Sequence, residues 1–377
     1  MMEPTSSVTH AARLYPPTDP FTHSAPPVGT DGDVPVPLNW IILGAGDIAS
    51  NQFVPALMSL DSCRILAVID KNPEAAAALA RRCGAPHALT DAQEIRRLAQ
   101  ADAVYVATWP ALHCEHVLLI AEAGKHVFCE KPMAVSLAEC DRMIQACRAA
   151  QVKLMIGNNQ RFHVAHQRVR QLMLDHTIGK IVLAKIDFLT SFRLRQGERF
   201  RPTQYRLTKG LGGGGVIMDM AIHAIDLIRY VLADEVESVG SFQDHLVYDC
   251  EAEDTAVIQL RFHTGALGII SVSGGVPYGR NALELYSERG AIISERSLAR
   301  VPDEVRVRVL LDGAWTEYTA PNVDSFRTEI EHFVACVTGG GEPPVPGSEG
   351  RQDLAVALAA YRSMQKRRSV RLDEMTA

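Results

Sequence analysis

From Leu38 onward, short apolar runs alternate with amphipathic stretches. The runs are Trp40–Leu43, Ile65–Ile69, Ala103–Val106, His126–Phe128 and Leu154–Ile156. Between them the spacing of apolar positions predicts helices up to about Leu60, over Pro73–Arg82, over Leu112–Ala123 and over Leu137–Ala149. Pro73 suits a first helical turn, where a missing N–H leaves nothing unpaired. A continuously apolar strand is covered on both faces, and strands that alternate with helices run parallel. Residues 38–157 therefore predict an α/β, doubly wound parallel sheet.

The texture then changes. A helix over 163–175 precedes a strand over Ile181–Phe192 and a helix over Gly215–Leu232. Thr255–Phe262, Leu267–Val272 and Val305–Leu311 alternate apolar and polar positions without helices between them, which predicts antiparallel pairing. Late helices over 323–337 and 352–366 flank a proline-rich loop at 343–346. Residues 158–377 thus predict an α+β domain with a large, mostly antiparallel open sheet, its last helix returning to the first domain. Residues 1–37 hold eight prolines and no period. They predict a mobile or extended arm, one that either stays loose or docks on a neighbouring subunit or over a cofactor.

Composition narrows the classes. The 377 residues are 47% hydrophobic, enough for two cored domains, and the net charge of −6 argues against a nucleic-acid binder. No apolar run approaches the ~20 residues of a membrane span. The N-terminus shows no basic segment leading into an apolar one, so no secretory signal is expected. Eight scattered cysteines without a Cys-x-x-Cys pair fit a reducing cytoplasm.

Gly44-Ala45-Gly46-Asp47-Ile48-Ala49 fits G-x-G-x-x-[G/A] between a predicted strand and a predicted helix. Gly44 permits the tight turn, Gly46 lets a pyrophosphate approach the backbone, and Ala49 lets the helix lie close to the sheet. The helix N-terminus offers free N–H groups to the phosphates. Asp70, closing the next strand, can accept ribose hydroxyls, which predicts NAD; Lys71 beside it keeps NADP as the alternative.

Glu130-Lys131-Pro132 follows the strand His126–Phe128 and falls at the carboxyl end of the sheet, where ligands bind. Read alone, Lys131 could equally be a solvated turn lysine. In Gly212–Asp226, Asp219 and His223 are four apart in an apolar segment, hence on one helical face. A carboxylate there can hold a histidine tautomer for proton transfer, or the pair can be a buried structural hydrogen bond.

Taken together, Gly44–Ala49, Ala107-Thr108 with Pro110 and His113, Gly124-Lys125-His126-Val127 leading into Glu130-Lys131-Pro132, and Gly213-Gly214-Gly215 with Asp219 and His223 resemble the Gfo/Idh/MocA family of oxidoreductases. The resemblance spans about Trp40 to Leu372. It implies hydride transfer between a nicotinamide dinucleotide and a carbinol or keto carbon of a sugar, sugar derivative or cyclitol, in a homodimer or homotetramer. By the same resemblance Lys131 holds the reacting oxygen, His223 is the general acid/base, and Asp219 orients the substrate or the histidine. Thr108, Trp109, His113 and Glu130 would border the cofactor with Asp47, Ile48 and Lys131. Trp109 departs from the family's usual proline there and is expected to reshape the wall near the nicotinamide. Two rivals share the scaffold: an aldose–aldose oxidoreductase that retains NADP(H), and a non-catalytic dinucleotide-binding regulator.

Three further features need weighing. His113-Cys114-Glu115-His116 lacks a second ligand pair for zinc, so no metal is expected, and His116 is read as a surface residue. Asn158, Gln160 and Arg161 follow the last strand of the first domain, as sugar-hydroxyl partners or as a hinge cap. Arg193, Arg195, Arg199, Arg201, Arg206 and Lys209 surround a single acid, Glu198. That run is a solvated loop, an oligomer contact, or a clamp for an anionic substrate.

Overall fold

The computed structural model describes residues 37–197, 200–202, 204–298 and 303–375. The arm expected over 1–37 falls outside these residues apart from Pro37, as do Glu198 and Arg199.

The first half runs β1 (Leu38–Leu43), a π-helical turn (Ala49–Phe53) continuing into α1 (Val54–Met58), β2 (Cys63–Ile69), α2 (Pro73–Cys83), β3 (His87–Leu89), β4 (Ala103–Val106), α3 (Pro110–Glu122), β5 (His126–Glu130), α4 (Leu137–Ala149) and β6 (Leu154–Gly157). Its strands pair in parallel in the order β3-β2-β1-β4-β5-β6. The order reverses between β1 and β4, and this switch point opens a crevice beyond the strand ends. Local chemistry sets the helix bounds. Asn72 Oδ1 accepts from the Glu74 and Ala75 amides to start α2, and Gly84 ends it at φ 69°. Trp40, Phe53, Tyr105 and Phe128 form an aromatic cluster on the sheet, with the Phe53 and Tyr105 rings stacked at 3.4 Å.

The second half runs α5 (Val164–Leu174), β7 (Ile181–Leu189), α6 (Phe192–Gln196), α7 (Lys209–Gly212), a π-helical turn (Ile217–Ala221) into α8 (Ile222–Leu232), then β8 (Val236–Asp244), β9 (Thr255–Phe262), β10 (Leu267–Ser273), β11 (Leu283–Ser287), β12 (Gly290–Ser294), β13 (Glu304–Leu311), β14 (Ala314–Pro321), α9 (Ser325–Gly339), α10 (Gly347–Lys366) and β15 (Val370–Arg371). The sheet order is β14-β13-β12-β11-β7-β10-β9-β8-β15. On β9, Ala256, Ile258, Leu260 and Phe262 are buried while Val257, Gln259 and Arg261 are exposed, the alternation of a sheet with one open face. Pairing is antiparallel except for β7 with β10. The exception follows from the crossover through α8, which returns the chain as the β8-β9-β10 meander. The strand expected to reach Phe192 stops at Leu189, because Ser191 caps α6 by accepting from the Leu194 amide.

Two late elements reach back to the first sheet. Phe333 of α9 packs on Phe128 at 5.3 Å, and α10 packs on α4 and β6. The segment Lys209–Leu232 is long and apolar enough to cross a membrane by length and composition, but 78% of its most apolar window is buried within the fold. It is a core helix.

Candidate active site

A cavity of about 990 Å³ lies between the carboxyl ends of the first sheet and the helix and strand ends of the second. Its first wall is the glycine turn. Gly44 sits at φ 102°, and a Cβ there would come within 2.6 Å of the Ala107 carbonyl oxygen, so only glycine fits. A Cβ on Gly46 would meet nothing within 4 Å, which leaves open space beside the backbone for a phosphate. Asp47 and Ile48 line the cavity from the same turn. Asp70 follows β2 directly, beside the glycine turn. Its Oδ2 accepts from the Ala45 amide at 2.7 Å and its Oδ1 from the Asn72 amide at 2.8 Å. Each oxygen keeps a lone pair for a ribose hydroxyl. Lys71 is exposed. These residues fit a dinucleotide.

Thr108, Glu130 and Lys131 border the cavity further along. Glu130 is buried; burial raises its pKa, and its Oε1 accepts from the Tyr105 hydroxyl at 2.7 Å. Three expectations fail here. His113 is fully buried and is absent from the cavity wall. Its Nε2 and Nδ1 each lie 3.0 Å from a carbonyl oxygen, of Thr108 and Pro132 respectively, and burial holds its pKa at about 4. As a neutral ring with one N–H, it donates to one of these two carbonyls and packs between the Thr108 loop and the turn after Lys131. Trp109 also stays off the wall, 47% exposed to solvent, because Pro110 starts α3 and turns the indole outward. His116, read as a surface residue, is buried with Nδ1 3.0 Å from the Thr108 hydroxyl.

The opposite wall brings Lys131, Asp219 and His223 together. The Lys131 ammonium donates to the Asp219 carbonyl at 2.8 Å and to its Oδ1 at 3.1 Å. Arg206 Nε lies 3.4 Å from the same Oδ1. Burial would raise the Asp219 pKa, but the charges of Lys131, Arg206 and Arg195 outweigh it and hold the carboxyl well below its usual range. Asp219 makes no hydrogen bond to His223, contrary to one sequence reading, because it is committed to the two cations. His223 Nδ1 is buried without a partner, so Nε2 is the nitrogen left to the cavity. Burial and then the Lys131 charge push the imidazole pKa far down, against the opposing charge of Asp219. The ring is neutral.

Backbone beyond the reach of sequence motifs positions this wall. The Gly215 amide donates to Glu253 Oε1 at 3.0 Å and to the Tyr361 hydroxyl at 3.3 Å, and Tyr361 donates to the same Oε1 at 2.6 Å. Ile217 adds a 3.0 Å bond to that oxygen. A side chain on Gly214 or Gly215 would collide with Tyr361 or the Glu253 carbonyl. Neither Glu253 nor Tyr361 belongs to a motif. Arg206 carried a signal only as one member of the arginine run.

Of the three residues expected after β6, only Gln160 lines the cavity, joined by Asn159 and His163. Asn158 is buried and donates to Asp353 at 3.0 Å. Arg161 is buried too, donating to Asp226 at 2.7 Å and Glu349 at 2.6 Å. Both serve the hinge. A 3-10 turn over Asn159–Phe162 rotates them away from the cleft.

A dinucleotide cradle facing a lysine, a carboxylate and a neutral histidine across one cleft is the architecture of a nicotinamide-dependent oxidoreductase. The chain belongs to the Gfo/Idh/MocA family. Residues 38–158 match the model described as an oxidoreductase family with an NAD-binding Rossmann fold, and residues 166–293 match the GFO/IDH/MocA C-terminal domain. Among its relatives is myo-inositol 2-dehydrogenase of Thermotoga maritima, 31% identical over 89% of this chain and 98% of the relative. Inositol 2-dehydrogenase of Rhizobium meliloti is 30% identical over 87% and 97%. The solved aldose–aldose oxidoreductase of Caulobacter crescentus superposes with a TM-score of 0.81 at 29% identity, covering 89% of this chain and 99% of that one.

Proposed function

We propose that the protein is an NAD-dependent dehydrogenase acting on a CH–OH group of a sugar, sugar derivative or cyclitol. One observation carries the reading: Lys131 of the first sheet and His223 of the second domain share a cleft with Asp219 between them, next to an open glycine turn. NAD bound there would supply the hydride acceptor. Gly44, Gly46, Asp47 and Ile48 would hold its pyrophosphate, Asp70 its ribose, and Thr108, Glu130 and Lys131 the nicotinamide end.

Lys131 has three N–H donors, and two go to Asp219. The third is left for the reacting oxygen, whose negative charge it stabilises as the proton departs. His223, neutral and with Nε2 toward the cavity, takes that proton as general base. Asp219 keeps Lys131 aimed and offsets the charge that His223 acquires. Gln160 contributes to substrate hydroxyl recognition. Residues 38–157 form the dinucleotide domain and 158–377 the substrate domain. The open face of the second sheet exposes Phe242 and Val257 as a cross-strand pair, which supports a homodimer or homotetramer. All eight cysteines are free thiols, in keeping with a cytoplasmic protein.

A polyol and aldose panel with NAD and NADP, followed at 340 nm, tests the activity. His223→Ala should lower kcat by about 10²–10⁴-fold while NADH affinity, read by fluorescence, holds. An unchanged kcat removes His223 from the chemistry.

A further inference from the structure

The arginine run Arg193–Lys209 is only partly accounted for by the fold. Arg206 is held at Asp219, and Arg193 lies over the Phe200 and Tyr248 rings at 5.8 and 6.0 Å. Arg195 is different. It lines the cavity, and its guanidinium has no hydrogen bond or ion pair among the described residues. Arg296 lines the same cavity from the turn after β12, and its side chain is equally unpaired among the described residues. Its backbone sits at φ 55°, a left-handed conformation uncommon for arginine.

The pairing of charges within the cavity points the same way. Of the cations lining the cavity, Lys131 and Arg206 are matched by Asp219, whereas Arg195 and Arg296 have no carboxylate partner among the described residues; Asp47, Glu130 and Asp324 complete the charged lining. Asp324 is already engaged, accepting from the Phe326 amide at 3.0 Å as the cap of α9. A neutral polyol needs no free guanidinium. A carboxylate or phosphate matches one, because its two oxygens fit the planar N–H fork. Arg195 is also near enough for its charge to act on both Asp219 and His223, which puts it on the Lys131–His223 side of the cavity.

We propose that the substrate is an oxyanion-bearing sugar, a sugar acid or sugar phosphate, whose anionic group is bound by Arg195 and Arg296 while its carbinol lies at Lys131 and His223. The proposal rests on the dehydrogenase reading above. Its test is steady-state kinetics with NAD on D-gluconate, D-glucuronate, D-glucose 6-phosphate, D-glucose and D-sorbitol. Alongside, D-gluconate, D-glucose 6-phosphate and D-sorbitol are titrated calorimetrically into the NADH-loaded enzyme. The anionic sugars should exceed the neutral ones in kcat/KM by tenfold or more, and added NaCl should erode that margin. Arg195→Gln and Arg296→Gln should each reduce the anionic-to-neutral ratio at least tenfold, through KM. The carboxylate and phosphate arms identify which oxyanion is used. Equal use of neutral and anionic sugars, or variants that leave the ratio intact, overturns the clamp and spares the dehydrogenase. If no sugar turns over, the dehydrogenase reading falls, and calorimetry decides the clamp. Tighter binding of either anion than of sorbitol, lost in Arg195→Gln, then supports it, and equal binding overturns it.

Discussion

Replacing Asp219 by asparagine keeps the side chain's shape and one acceptor oxygen while removing the charge shared by Lys131 and Arg206. The bond from Lys131 to the Asp219 carbonyl, at 2.8 Å, survives; the 3.1 Å bond to Oδ1 loses its charge assistance. A hydrogen bond to a charged group contributes about 1.5–3 kcal/mol against about 1 for a neutral one. The aim of Lys131 therefore weakens by about 0.5–2 kcal/mol, or roughly 2–30-fold in rate. His223 adds to this, because the imidazolium formed in the reaction loses its compensating charge while Lys131 still opposes it. The expected fall in kcat is about 10–100-fold in all. The pH profile gives an independent readout. The acid limb of kcat/KM reports protonation of the base. Asp219 raises the His223 pKa and Lys131 lowers it, so Asp219→Asn should move that limb to lower pH. Stopped-flow kinetics from pH 4 upward, with a double-mutant cycle against Lys131→Met, complete the assay. A limb that moves to higher pH, or a cycle additive within about 0.5 kcal/mol, would refute the arrangement.

Asp70→Asn retains an acceptor for the Ala45 amide but removes the charge that repels a 2′-phosphate, so the NAD-to-NADP ratio of kcat/KM should fall at least tenfold; an undiminished ratio rules out Asp70 as the discriminating group. Glu329 is buried with neither carboxylate oxygen hydrogen-bonded; burial first, then Glu130, Asp324 and Asp226, raises its pKa well above the usual range. The folded chain thus binds a proton that the unfolded chain releases, and this stability is full below the ordinary carboxyl pKa of about 4.3 and lost as pH rises toward the folded value. Glu329→Gln should therefore gain Tm over the parent progressively from pH 5 to 9, and a pH-independent difference would count against a protonated Glu329.

The Rossmann half was readable because its signals are local. Apolar runs, Pro73 at the head of α2, and the Gly44–Ala49 turn each act within a few residues, and the strands they bound lie where the pattern put them. The second domain was less readable. β8, β11, β12 and β14 are short or carry exposed polar residues on an open face, and β7 pairs with β10 only because of a crossover that no window of sequence contains. The same divide runs through the site. Lys131, Asp219 and His223 converge as the motifs implied. Glu253 and Tyr361, which hold the Gly212–Gly215 approach, act across more than a hundred residues for Tyr361 and carry no spacing signature.

Asn158 and Arg161 show why a polar cluster after a strand cannot be assigned by type alone. Arg161 bonds Asp226 on α8 and Glu349 on α10, while Arg229 of α8 pairs with Asp353 of α10, the residue that also receives Asn158. These groups bury charge that would cost several kcal/mol per ion if unpaired, and removing one partner of such a pair typically costs about 3–5 kcal/mol. Asp226 lies one helical turn beyond His223, so the network fastens the helix carrying the base to the turn that leaves the dinucleotide sheet and carries Gln160. The spacing between the cofactor cradle and the base is thereby set by ion pairs that touch neither ligand. Arginine and asparagine at these positions are there for the geometry of the cleft, and Asn159 and Gln160, the uncharged residues between them, are the ones that line it.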